Sequence, residues 1–259
     1  GAQAGPWTRT DGSYYAKVAA DWYDTGSFVS PVAGEVADTQ YFGHRYGLYG
    51  EVGLPTEHPI QVAASLPLVV GVVNFTRRDS FEDVVGKATS TRVGDLVLSP
   101  QVALHPDLPI AASADIKLPM YNNAGVCEGN PWQEYCAWPG DGQVDLTAWL
   151  SGGGSLNGHG WVEAAAGYRH RTEWYIGGNL GIRYTDLIPA NATVGLTAGP
   201  VALSARADAA IAPAHDNRTA EYLRAGPSAL VDIAEGIGIE ARYQHDLWTR
   251  NASPGFGFG

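Results

Sequence analysis

Residues 109–120 read Pro109-Ile110-Ala111-Ala112-Ser113-Ala114-Asp115-Ile116-Lys117-Leu118-Pro119-Met120, and their alternation decides the fold class. Ile110, Ala112, Ala114, Ile116, Leu118 and Met120 share one parity. Ala111, Ser113, Asp115, Lys117 and Pro119 share the other. Successive side chains of a strand point to opposite faces, so this segment presents one apolar face and one that carries charge. The pattern recurs where Ile237, Ile239, Ala241 and Tyr243 oppose Glu240, Arg242, Gln244 and Asp246. It recurs again where Val201, Leu203, Ala205, Ala207, Ala209 and Ile211 oppose Ser204, Arg206 and Asp208.

The same test applied along the chain predicts strands near 13–24, 40–54, 60–73, 91–104, 109–121, 142–156, 161–175, 180–198, 201–212, 221–233 and 237–250. A twelfth begins at Gly255. Most are roughly 11–16 residues long, whereas globular strands average about 5–6 and a tilted bilayer-crossing strand needs about 9–11. Their connections alternate. Short turns rich in Gly, Pro, Asn or Asp fall at 54–59, 105–108, 157–160, 199–200 and 234–236. Longer connections lie at 25–39, 75–90, 122–141, 213–220 and 251–254, with a shorter one near 176–179. Short turns at one rim and long loops at the other is the organisation of outer-membrane barrels. The expectation is an all-β chain forming a single antiparallel transmembrane up-and-down β-barrel of about 12 strands. The barrel spans 13–259 and follows an N-terminal periplasmic extension, 1–12.

Composition agrees with a barrel and excludes other classes. No run of eighteen apolar residues exists, which rules out a transmembrane helix. A formal charge of −11 speaks against nucleic acid as a partner. Ala2 and Ala4 fit the small-residue tail of a secretory signal, so the chain is expected to be exported with its signal peptide removed, to the bacterial outer membrane. In that oxidising compartment Cys127 and Cys136 are expected to form a disulfide. No metal or other cofactor is expected, because no histidine or second cysteine pair accompanies them. The seven histidines accompany no serine-nucleophile motif, and no catalytic residue is assigned: the chain reads as a non-enzyme.

Cost fixes which face points inward. An Arg or Lys on the lipid face costs roughly 2–4 kcal/mol at the midplane, so the charged parity must line the lumen. That places Lys17, Asp21, Arg45, Glu51, Asp95, Asp115, Lys117, Asp145, Glu163, Arg169, Arg171, Arg183, Arg206, Asp208, Arg224, Asp232, Glu240, Arg242 and Asp246 inside, ten acids against nine bases. The lumen is then nearly neutral and the acidic surplus belongs to loops and turns. Tyr14, Trp22, Tyr46, Trp161, Tyr168, Tyr243 and Trp248 take the outward parity near strand ends, as an interface girdle facing outer-membrane lipid.

Val93-Gly94-Asp95-Leu96-Val97-Leu98, Ile116-Lys117-Leu118-Pro119, Gly140-Asp141-Gly142-Gln143-Val144-Asp145-Leu146 and Ala166-Gly167-Tyr168-Arg169 resemble the barrel proteins of phenol meta-degradation pathways. Those are themselves distantly similar to the fatty-acid-transporter barrels. The resemblance implies uptake of small solutes, apolar ones included. Gln3-Ala4-Gly5-Pro6-Trp7-Thr8 and the alanine-rich strands are also similar to myxobacterial envelope barrels of the gliding-motility apparatus, which implies a structural role beside other envelope proteins. Two functions therefore stand as expectations: a narrow passive channel, and a non-conducting barrel that anchors an envelope complex. The loop 122–141, with Trp132, Tyr135 and Trp138, is expected to fold over the outer mouth, and 75–90 to be a solvated loop.

Overall fold

The computed structural model describes residues 6–9, 12–30, 34–36, 38–78, 83–123, 135–176, 183–214, 216, 218–234 and 237–259. Its strands are β1 (Tyr14–Thr25), β2 (Phe28–Ser30), β3 (Gly34–Val36), β4 (Thr39–Leu54), β5 (Ile60–Arg78), β6 (Asp83–Val93), β7 (Asp95–Ala103) and β8 (Ile110–Pro119). There follow β9 (Gln143–Leu156), β10 (Gly160–Tyr175), β11 (Ile188–Ala198), β12 (Val201–Ile211), β13 (Glu221–Ala234), β14 (Ile237–Arg250) and β15 (Gly255–Phe258). Twelve of these close into an antiparallel ring in the order β1, β4, β5, β7, β8 through β15 and back to β1. The tiny β2–β3 hairpin and β6 lie outside the ring.

Turn chemistry sets the registers at the short-turn end. Asn157 (φ 49°) and Gly158 (φ 74°) are both left-handed, and His159 N–H closes the turn on Leu156 O at 3.1 Å. Two consecutive positive φ values match the right-handed twist of the flanking strands, and Asn-Gly reaches them at least cost. Between β11 and β12 Gly199 alone is left-handed (φ 59°), and Pro200, with its fixed negative φ, completes the turn.

Alternation then sorts the faces. Val18, Leu48, Leu150, Leu203 and Ile239 point outward and are more than half exposed, since only lipid would cover them. Gln61, Gln101, Asp145 and Ser151 point inward and are buried. Trp161 lies across Gly195 of the neighbouring β11, a glycine position its ring covers.

Two expectations need correction. Of the expected loop 75–90, residues 75–78 and 83–90 are strand: β5 continues to Arg78, and β6 pairs with Leu68–Arg78. β7 takes over as partner of Ile60–Ser65, so β6 and β7 form one path jogged at Gly94. A Cβ on Gly94 would lie 2.9 Å from Pro67 Cγ, so the close approach requires glycine. The hairpin escapes a period-two reading because it reaches past the ring, where neither face is held against lipid. Strand β11, expected from residue 180, begins at Ile188. There Asp186 accepts from Arg171 N–H at 2.8 Å and from Tyr168 and His170 side chains, which holds the preceding chain out of the ladder.

Leu150 lies mid-strand on the outward face, so Leu150→Arg is expected to lower stability by about 2–4 kcal/mol, against a far smaller effect for Leu150→Ile. Denaturant unfolding from phospholipid vesicles measures both.

Candidate functional site

The ring encloses a cavity of about 910 Å³, lined by residues of every ring strand. Eight carboxylates and eight Lys or Arg side chains line it, so it is polar and formally neutral. Register explains the arrangement. Lys117, Asp145 and Arg171 lie in one row across β8, β9 and β10, and Asp115, Thr147 and Arg169 form the next. Asp208, Arg224 and Asp246 form a third row across β12, β13 and β14. Alternating signs in a row let each charge meet an opposite one without leaving the wall.

Most of the charges are so paired. Lys117 Nζ is 2.7 Å from Asp141 and 2.8 Å from Asp145, and Arg171 bonds Asp141 as well. Arg206 grips Asp208 through two nitrogens at 2.8–3.0 Å. Arg224 lies 3.3 Å from Asp246, which also accepts from Tyr23. Asp21–Arg242, beside Gly259, and Lys17–Glu240, beyond the end of β15, connect β1 directly to β14. Asp115 accepts from Ser99 at 2.6 Å and Trp149 Nε1 at 2.8 Å. An unpaired buried charge costs several kcal/mol, and these contacts remove that cost.

Both mouths are narrowed from within. At the long-loop end, the segment before β9 turns inward: Tyr135 stacks on Phe75 with centroids 4.0 Å apart, and Ala137 packs beside Val73. Ser90 hydroxyl donates to Ala137 O. The upper part of β5 reads Val69-Val70-Gly71-Val72-Val73 because it is covered on both faces, by this segment inside and lipid outside. Asp141 ends the segment on the Lys117–Arg171 pair. Burial pushes its carboxyl up, but Lys117 and Arg171 outweigh this and hold it below the usual range. At the short-turn end, Arg9 N–H donates to Gln61 at 2.7 Å and its guanidinium pairs with Glu51. Thr8 accepts from Gln101 at 3.3 Å. Gly153, inward on β9, leaves the space that Pro6 and Trp7 occupy. Residues 6–9 of the expected periplasmic extension thus cross the lower mouth.

The long loops of β10–β14 are tied to one another by Asp216. Its carboxylate accepts from Thr185 N–H and hydroxyl, Thr219 N–H and hydroxyl, and Arg218 N–H. Asn251 donates to Asp216 O and Thr219 O, both at 3.0 Å. Partial burial pushes the Asp216 carboxyl up, yet these donors hold it far below its ordinary value.

Of the charges expected inside, Lys17, Asp21, Arg45, Glu51, Asp95, Asp115, Lys117, Asp145, Arg169, Arg171, Arg206, Asp208, Arg224, Glu240 and Arg242 line the cavity. Asp246 lies behind it on Arg224. Glu163 shares a register row with Thr193 and Arg206 without lining it. Asp232 is at the exposed short-turn rim of β13. Arg183 is a correction: it lies before β11, 84% exposed, beside Glu173, because the chain has not yet entered the ladder. Cys136 is fully buried and no described cysteine is free, while Cys127 lies outside the described residues, as do Trp132 and most of its loop. Among the described residues no cluster suited to a metal ion occurs.

No protein-family model matches this chain, and no curated protein does. A solved structure does match: an outer membrane channel from Pseudomonas putida F1, with TM-score 0.67. The two share a fold. The match covers 100% of this chain and 97% of that one at 14% sequence identity, so it speaks for the barrel.

Asp141, Arg9, Gln61, Gln101 and Trp149 went unmarked in the sequence. For Asp141 a signal existed, since extending the parity of Gln143 and Asp145 back by one step puts it inward. For Arg9 there was none, because its position depends on contacts with distant strands.

Asp216→Asn is expected to speed hydrogen exchange at the Thr185 and Thr219 amides. The native carboxyl ionises below its unfolded value of about 3.9, so its contribution is complete above about pH 5 and lost only as pH falls through the lowered value. Exchange protection in the native protein should therefore persist through about pH 4; loss of protection between pH 6 and 5 would contradict this.

Proposed function

We propose that the protein is a passive outer-membrane channel for small polar solutes, held narrow by its own chain at both mouths. One observation carries this reading: a polar cavity of about 910 Å³ reaches most strands of a closed ring, whose outer face is apolar. Side chains would fill a smaller ring, and a ring of sixteen or more strands would leave a wide pore. With twelve strands and paired charges, a restricted path is what remains. The fold shared with an outer membrane channel supports both the compartment and the role. The likeness of the 93–98, 116–119, 140–146 and 166–169 segments to phenol-pathway barrels supports an uptake role, while the polar character of the solute rests on the cavity lining alone.

The inward segment at 135–142 is the movable element under this reading, and a Cys127–Cys136 disulfide would clip the loop that leads into it. No catalytic step is assigned to any residue. The scaffold reading, a barrel that only anchors an envelope complex, differs in one respect: nothing would pass.

Single-channel recording of the refolded full chain in a planar bilayer is expected to show small discrete conductance steps. Tyr135→Ala, which removes the stack on Phe75, should raise conductance or add flickering, and reductant should do so to a lesser degree. A silent bilayer, from protein whose heat-modifiable gel mobility proves it folded, would reject the channel in favour of the scaffold.

A further inference from the structure

Donors and acceptors are unevenly used in the lumen. Asp115 receives Ser99 Oγ and Trp149 Nε1, and the other lining carboxylates are met by cations or by tyrosine hydroxyls. Two guanidiniums are left over. Arg45 is the register partner of Asp21 across β1 and β4, but Asp21 gives its carboxylate to Arg242. Among the described residues Arg45 makes no side-chain hydrogen bond and no ion pair, although Asp21, Asp95 and Arg242 surround it. Among the described residues the Arg169 side chain donates once, from Nε to Thr147 Oγ1 at 3.2 Å, and has no carboxylate within ion-pair distance. The nearest acid in its row, Asp115, is two strands away behind Thr147.

These two residues stand on β4 and β10, five steps apart around a ring of twelve, so they face each other from opposite walls of one cavity. A guanidinium presents up to five donors in a planar fork that matches a carboxylate or phosphate oxygen pair. Asp95 Oδ1 and Asp145 Oδ1 also keep open acceptor positions, but those carboxylates are met by Tyr121 and Lys117, whereas Arg45 has no such partner and Arg169 only a neutral one.

We infer that Arg45 and Arg169 form a binding site for a small oxyanion, a carboxylate or phosphate group, midway along the lumen. The inference deepens the channel reading by giving its solute a charge: the path favours small organic or inorganic oxyanions over cations of equal size. The acidic surplus of the chain does not reverse this. It lies outside the balanced lining, and at physiological salt its field decays within about 8 Å.

The test pairs a chemical readout with an electrical one, both on the full chain. Phenylglyoxal modifies accessible guanidiniums lacking carboxylate partners fastest, and peptide mass spectrometry reports each site. Arg45 and Arg169 are expected to react several-fold faster than ion-paired Arg206 and Arg242. Inorganic phosphate, but not chloride at equal ionic strength, should slow them several-fold. In a potassium acetate gradient the reversal potential should report acetate preference, and Arg45→Gln with Arg169→Gln should abolish it. Equal reactivity of the four arginines, failure of phosphate to protect, or potassium preference in the unaltered protein would each overturn the site. A silent bilayer with phosphate protection intact would reject the channel and keep the site. Conduction without protection would do the reverse.

Discussion

Most of the interior follows from one constraint: charge on the inward face of a strand is kept from lipid and is stabilised by a counter-charge across the lumen or along the wall. The register supplies the partners. Because strands β8, β9 and β10 align Lys117, Asp145 and Arg171 in a single row, a one-residue slip would send all three outward, where each costs several kcal/mol. The ion pairs are thus less a source of net stability than a statement of which register is allowed. The Asn157-Gly158 and Gly199-Pro200 turns and the lumen rows specify the same alignment from two directions.

The same pairing leaves the interior narrow without filling it. Paired side chains lie along the wall, as Arg206 does on Asp208 two residues away, and leave the centre to solvent. Closure falls to segments that are not strands. At one mouth, Tyr135 and Ala137 use apolar packing against β5, with Asp141 as an ionic end-stop. At the other, Thr8 and Arg9 use polar contacts with Gln101, Gln61 and Glu51. Apolar packing resists salt and polar contacts do not, so the two mouths would respond differently to their surroundings.

Much of the ring was legible in the sequence, for a physical reason. A strand between lipid and a polar lumen has its two faces set by different solvents, so Ile110–Pro119 and Val201–Ile211 carry the alternation openly. Where that contrast lapses, legibility lapses too. β6 projects past the ring and carries no sustained alternation, Val84 and Val85 standing side by side, and the upper half of β5 is apolar on both faces because the inward segment covers it. The charges on ring strands could be placed by parity. Arg183 could not, being held off the ladder by hydrogen bonds to Asp186, sixteen residues from His170 in sequence. Nor could Arg9, whose partners Glu51 and Gln61 lie more than forty residues away. Which arginine would be left unpaired was beyond reach for the same reason: it depends on Asp21 choosing Arg242 over Arg45.

The central claim is that a water-filled path runs between paired charges inside a sealed ring. Thiol accessibility tests it most directly. Ser228 lines the cavity 2.7 Å from Ser204, whereas Leu203 faces outward on the adjoining strand. In a Cys127→Ser, Cys136→Ser background reconstituted in vesicles, Ser228→Cys is expected to react with a small membrane-impermeant thiol reagent added on either side, and Leu203→Cys is not. Silence at Ser228→Cys from both sides, in protein shown to be folded, would mean that the lumen is closed and the account is wrong.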